Sequence, residues 1–225
     1  MKKFLIAYIF LSAGLILYLL IEVQKMKQPG VIRARGIIVE DSAGRDRILI
    51  GAPFPESKDR VRTDTAKVNK YWGSRFEGTE YMKWYSSYRN GGNGLVVMNA
   101  SGFDKVVLGD DLPDPNTGQR NGTPTGLLWN DEQGFERGGL GLNRLKSNNK
   151  YRNMLGFDDE TGEALHIGLL EDGSKFIRFA WTDSVLLVGR GTAGNFLFNS
   201  GKPFVGFQFT SAKDSTGYRQ NFIKN

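Results

Sequence analysis

One unit recurs along this chain and limits what it can fold into. Gly36–Pro53 reads GIIVEDSAGRDRILIGAP, Gly94–Asp111 reads GLVVMNASGFDKVVLGDD, and Gly126–Asn143 reads GLLWNDEQGFERGGLGLN. A weaker copy, MLGFDDETGEALHIGLL, starts at Met154. Each copy opens on apolar residues and then places an Asp or Asn (Asp41, Asn99, Asp131, Asp159), followed by a Gly (Gly44, Gly102, Gly134, Gly162). Three copies continue with an acid–base doublet: Asp46-Arg47, Asp104-Lys105 and Glu136-Arg137. All four close on an apolar residue and another Gly: Gly51, Gly109, Gly141 and, one place early, Gly168.

The spacing has a direct physical reading. An Asx side chain accepts hydrogen bonds from the backbone ahead of it, and Gly takes the positive φ that a tight turn needs. Apolar and β-branched residues flank that turn on both sides, so each unit predicts a β-hairpin. The charged doublet is expected to begin the return strand, near a solvated turn. A fifth, degenerate copy is expected at Phe196–Val205 (FLFNSGKPFV), and Ser184–Gly189 reads as a further strand. The copies begin at unequal intervals, which a strict β-helix would not tolerate. The expected fold is mainly β: a hairpin-repeat domain arranged as a meander, a barrel or an irregular stack. Isolated hairpins are marginal in water, so these must pack on one another or on partner subunits.

The pattern of an apolar strand, D-x-x-G-x-x-R and a second strand ending in Gly resembles repeats of uncharacterised bacterial membrane-anchored proteins. The resemblance covers the four stretches quoted, under half of the chain. It departs at Asn99 and Lys105 in the second copy and at Leu165 in the fourth. It implies a bacterial origin and a β-repeat fold, and no activity.

Ahead of the repeats, Phe4–Ile21 reads FLIAYIFLSAGLILYLLI, with no charged side chain. At about 1.5 Å per residue this run spans about 27 Å as a helix, close to the hydrocarbon thickness of a bilayer. No small-x-small cleavage site follows; the next residues are Glu22-Val23-Gln24-Lys25. The expectation is an uncleaved single-pass signal-anchor, with residues 1–30 as anchor and linker and 31–225 as the extramembrane domain. Lys2 and Lys3 favour a cytoplasmic N-terminus, whereas Lys25, Lys27, Arg33 and Arg35 pull the other way. Long domains translocate largely regardless of charge, so the β domain is expected on the periplasmic side.

An insertion at 56–93 separates the first two copies and is rich in Tyr, Trp and basic residues. Tyr81, Trp84, Tyr85 and Tyr88 are the candidate binding residues, because such side chains supply rigid area with a polar handle. A protein partner or a glycan suits such a platform. The same aromatics would equally cap one end of the β core or lie at a lipid interface.

Catalytic and metal signatures are absent. There is no cysteine and a single histidine, His166, which reads as a bystander on a strand. There is no Walker loop, G-x-G-x-x-G or Gly-x-Ser-x-Gly elbow. Asp158-Asp159-Glu160 offers paired carboxylates of the kind glycoside hydrolysis uses, but at a predicted turn. The loop containing Asp110, Asp111, Asp114 and Asn116 does not match the EF-hand spacing. Asn99 and Asn121 head glycosylation sequons. A net charge of +6 spread along the chain does not indicate nucleic acid. The expectation is a non-enzymatic single-pass protein, a structural or accessory subunit docking on a larger membrane or envelope assembly, with no cofactor or metal. Its expected partners are the lipid bilayer and other protein subunits. A carbohydrate- or envelope-binding module is the first alternative and a membrane-bound hydrolase the second.

Overall fold

The computed structural model describes residues 2–26, 32–75, 79–86, 91–114, 116, 122–195, 197–198 and 201–211. The chain divides into two units, Met1–Ala34 and Arg35–Asn225. In the first, helix α1 runs Lys2–Met26 and contains the apolar run. Its described side chains are Phe4 and Phe10–Gln24. Among the described residues, no helix is long and apolar enough to cross a membrane.

The second unit is one antiparallel sheet whose eleven strands follow one another in chain order. The four template hairpins are β1 (Gly36–Glu40) with β2 (Asp46–Gly51), β3 (Asn93–Met98) with β4 (Asp104–Asp110), β5 (Gly122–Asn130) with β6 (Glu136–Leu145), and β7 (Tyr151–Asp159) with β8 (Gly162–Leu169). Then come β9 (Lys175–Trp181), β10 (Ser184–Gly191) and β11 (Phe204–Ser211). The meander was among the expected arrangements. The expected fifth hairpin is not built as drawn. Phe196, Asn199 and Ser200 lie outside the described residues, and β11 starts at Phe204 and pairs with β10.

The turns behave as their chemistry dictates. In the first three hairpins the Asx carboxyl or amide oxygen accepts backbone N–H bonds from the residues two and four ahead, such as Ala43 and Arg45 on Asp41 Oδ1 at 2.9 and 3.2 Å. Asn99 and Asp131 hold Ser101, Phe103, Gln133 and Phe135 in the same way. The pairing shifts register at the same place in each, Val39/Glu40, Val97/Met98 and Trp129/Asn130, which is a β-bulge. The basic member of the doublet ties one turn to the next. Arg47 Nε donates to Met98 O at 2.9 Å, Lys105 Nζ reaches Glu132 Oε1 at 2.7 Å, and Arg137 Nη1 donates to Asp159 O at 2.8 Å.

The acidic member departs from expectation. The doublet does begin the return strand, but Asp46 and Asp104 are buried rather than solvated. The reason is the insertion, which folds onto these hairpin ends. After Val61–Thr63, a short helix α2 (Thr65–Val68) runs on through a wider turn at Asn69–Gly73, and helix α3 spans Thr79–Ser86. Asp64 caps α2 by accepting from the Ala66 and Lys67 N–H groups. Arg60 forms a buried two-pronged ion pair with Asp104, with Nε–Oδ1 at 2.9 Å and Nη2–Oδ2 at 2.7 Å. Ser57 Oγ donates to Asp46 Oδ2 at 2.7 Å.

Register aligns the strands across the whole sheet. On one face, here called outer, the row Ile37, Ile50, Leu95, Leu108, Leu127, Leu140, Leu155, Ile167, Ile177, Val188, Phe207 is apolar in every strand. The parallel row from Val39 through Trp129, Gly138 and Phe157 to Phe209 is apolar throughout as well. The inner face carries a row of glycines: Gly36, Gly51, Gly94, Gly109, Gly126 and Gly141, then Gly168, Gly189 and Gly206, interrupted only by Met154 and Phe176. Gly94 and Gly109 pair, and a Cβ on them would stand 2.1 Å from Leu108 O and 2.0 Å from Asn93 O.

The inner face is covered at both ends. Phe54 and Leu112 close over Leu49, Val96, Met98, Val107 and Leu128 on β2–β5. Phe198 packs with Leu170, Phe176, Leu187 and Phe204 at the other end. Gly109→Ala is expected to lose at least about 2 kcal/mol in urea unfolding, because backbone must move. Gly156→Ala, whose Cβ would meet nothing closer than 3.8 Å, stays within about 0.5 kcal/mol. Arg60→Met leaves a buried carboxylate unpaired and is expected to cost about 3–5 kcal/mol by the same measurement.

Candidate functional site

Three places carry enough chemistry or surface to be functional: the aromatic insertion, a trough on the inner face, and the outer face.

The insertion's aromatics are drawn into a core. Tyr81 is fully buried and Tyr85 nearly so, together with Val61, Val68, Trp72, Phe103 and Phe135. The latter two are turn residues of the second and third hairpins, so the insertion rests on the template's own turns. Trp72 lies 5.9 and 5.7 Å from the Phe103 and Phe135 rings. The Arg62 guanidinium stands 4.0 Å above Trp72, and Arg75 the same distance above Phe135. The Tyr85 hydroxyl donates to Arg62 O. Burial pushes the Tyr81 hydroxyl above its ordinary pKa, which the Arg62 charge partly opposes. Of the four candidate binding residues, Tyr81 and Tyr85 therefore offer no ring to solvent. The Trp84 side chain and all of Tyr88 lie outside the described residues.

Between the two inner-face covers, β5–β8 line a trough of about 500 Å³. Glycines Gly139, Gly141 and Gly156 pave part of it, and Asp114, Glu136, Arg152, Asp158, Glu163 and His166 surround them. The sequence reads His166 as a packed or exposed bystander, and it is packed: its ring is buried in the trough wall. It packs edge-on against Phe176, and its Nδ1 lies 3.3 Å from Glu163 Oε2. The acidic triplet is split. Asp158 pairs across the strands with Glu163. Asp159 turns to the Thr161 hydroxyl and N–H, which hold its carboxyl below the usual range. Asp158 is pushed the other way, first by burial and then by the charges of Glu163 and Asp114, against the pull of His166 and Arg137. Glu163 and His166 are three residues apart on β8, but Asp158 reaches them through the β7–β8 register, which sequence spacing does not express.

Among the described residues no cluster of three or more His, Cys, Asp or Glu is placed to hold a metal ion. Asp110 accepts from the Thr125 hydroxyl and Asp114 from the Asn116 N–H. Asn121 lies outside the described residues, and the Asn99 amide donates to Glu132.

The outer face is the largest feature. Leu108 is 51% exposed and Leu140 53%, in the middle of two apolar rows that cross eleven strands. Natural monomers rarely expose a contiguous apolar patch of more than a few hundred Å². At about 4.8 Å between strands and about 6.8 Å between same-face residues, these two rows cover about 700 Å².

No family model, curated protein or solved structure matches this chain.

The trough makes a pH prediction. A carboxyl whose folded pKa is raised stabilises the fold below its unfolded value, and that contribution is lost as pH rises through the folded one. Asp158→Asn is therefore expected to raise Tm relative to wild type at pH 7–8. The gap should close toward pH 4, followed by thermal melts across that range.

Proposed function

We propose that this chain is a non-enzymatic structural or accessory subunit whose β domain docks through the outer sheet face, within a larger membrane or envelope assembly. The observation that carries the reading is the pair of unbroken apolar rows on that face, from Ile37 to Phe207 and from Val39 to Phe209. About 700 Å² of apolar surface at about 25 cal/mol per Å² amounts to well over 10 kcal/mol left in water, a cost that a covering partner removes.

Helix α1 enters this reading as the tether. Its support is the uncharged run Phe4–Ile21 in the sequence, with Tyr18 near one end where an amphipathic ring prefers the interface. The β domain is then placed on the periplasmic side, as the short N-terminal tail and long following domain favour. The glycan-binding alternative rests on aromatic rings at the surface. With Tyr81 and Tyr85 buried, Trp84 and Tyr88 would have to carry it.

The test is the pair of substitutions Ile167→Glu and Ile177→Glu, adjacent on β8 and β9 of the outer face. Native electrophoresis of gently solubilised membranes is expected to show the wild-type chain in a complex. The double variant should fall to the mass of the isolated chain while keeping its β circular-dichroism signal. A complex of unchanged size in the variant would overturn the reading.

A further inference from the structure

We infer that the occupant of the outer face is a second copy of this chain, packed face to face about a two-fold axis. This rests on the proposed docking role and names its partner. The face is uniform: both apolar rows run through every strand, so it is complementary to itself, as an isologous interface requires. Its area fits. Two copies burying about 700 Å² each reach about 1,400 Å², inside the range of standard stable interfaces. Packing two such faces gives an ordinary β-sandwich core about 10 Å thick.

The relief and the charge of the face agree with this. On its β6–β10 side lies a shallow apolar depression of about 580 Å³, lined by Leu140, Leu155, Ile167, Ile177 and Val188 among others. It can receive side chains projecting from the other copy. Along one margin runs a third row, acidic on β4 (Asp110) and basic on β9 and β10 (Lys175, Arg190). With the axis parallel to the strands and midway between the two sheets, over the central strand β6, β4 of one copy lies over β8 of the other. Asp110 then faces the other copy across the gap between the sheets, displaced sideways by one strand from its Lys175. Opposite charges meet at the rim while the apolar rows meet inside, which fixes orientation more than it adds affinity.

The chain has no cysteine, so one introduced thiol reports on one place. Leu140 lies on β6 in the middle row and falls close to its own copy for any two-fold axis through the centre of the face. In membranes carrying the full chain, Leu140→Cys is expected to cross-link to a covalent dimer with copper phenanthroline or a short bis-maleimide. Lys58→Cys, in the insertion away from this face, is expected to stay monomeric under the same treatment. Ile167→Cys serves as a second reporter on the face, expected to dimerise with a longer bis-maleimide. Two results would overturn the inference. If neither face thiol cross-links yet both are protected from maleimide, the face is covered by lipid or by a different protein, and the docking role survives. If neither cross-links and both react freely, the face is bare, and the docking role fails with it.

Discussion

Strand register is the constraint on which the rest of this molecule depends. Side chains alternate between the faces of a sheet with a period of two, so a slip of one residue would exchange the apolar rows for the glycine row. Ten successive pairings must agree for Ile37 on β1 to share a row with Phe207 on β11. The template enforces this locally. Asp41, Asn99 and Asp131 fix turns of one length, and the bulge beside each delivers the return strand in the same phase. The basic residues Arg47, Lys105 and Arg137 then reach from one turn to the next hairpin, so register set within a hairpin is carried between hairpins.

The glycine row has a different cause from the turn glycines. At Gly94 and Gly109 a side chain would strike the carbonyl of the neighbouring strand. Close approach of backbone to backbone, rather than a tight turn, keeps these positions glycine. The consequence is an inner face that is thin along one line and needs filling from above. Phe54 and Leu112 supply that on β2–β5, with the insertion closing the hairpin ends beside them through the Arg60–Asp104 pair, and Phe198 supplies it on β9–β11. The trough with Asp158, Glu163 and His166 is what lies between the two covers.

How much of this was legible in the sequence varied with the range of the interaction involved. The four hairpins were readable because an Asx–Gly turn is made by residues within a few positions of each other. A further turn, Leu170–Ser174, was missed because Leu170 stands where the template has Asx. Yet Leu170 N–H still closes on Ser174 O, and Gly173 still takes a positive φ. That the insertion's aromatics could cap one end of the β core was readable from their composition, but not which ones or on what, since the burial of Tyr81 and Tyr85 depends on Phe103 and Phe135 arriving from two separate hairpins. Asp158 likewise came to Glu163 through cross-strand pairing, which sequence spacing does not express.

The least legible feature was the outer face, although every residue in it was visible. Apolar residues flanking a turn are expected to face a core, and the sequence contains enough of them for two cores. The inner face uses Leu49, Val96, Val107 and Leu128 against Phe54 and Leu112. The neighbours Ile50, Leu95, Leu108 and Leu127 point the opposite way and meet no layer among the described residues. A sheet that needs only one buried face alternates apolar with polar residues. These strands instead run apolar on both sides, the pattern of a sheet buried on both faces. One face finds its cover within the chain. The other carries no such cover among the described residues, and its regularity over eleven strands is what the docking proposal rests on.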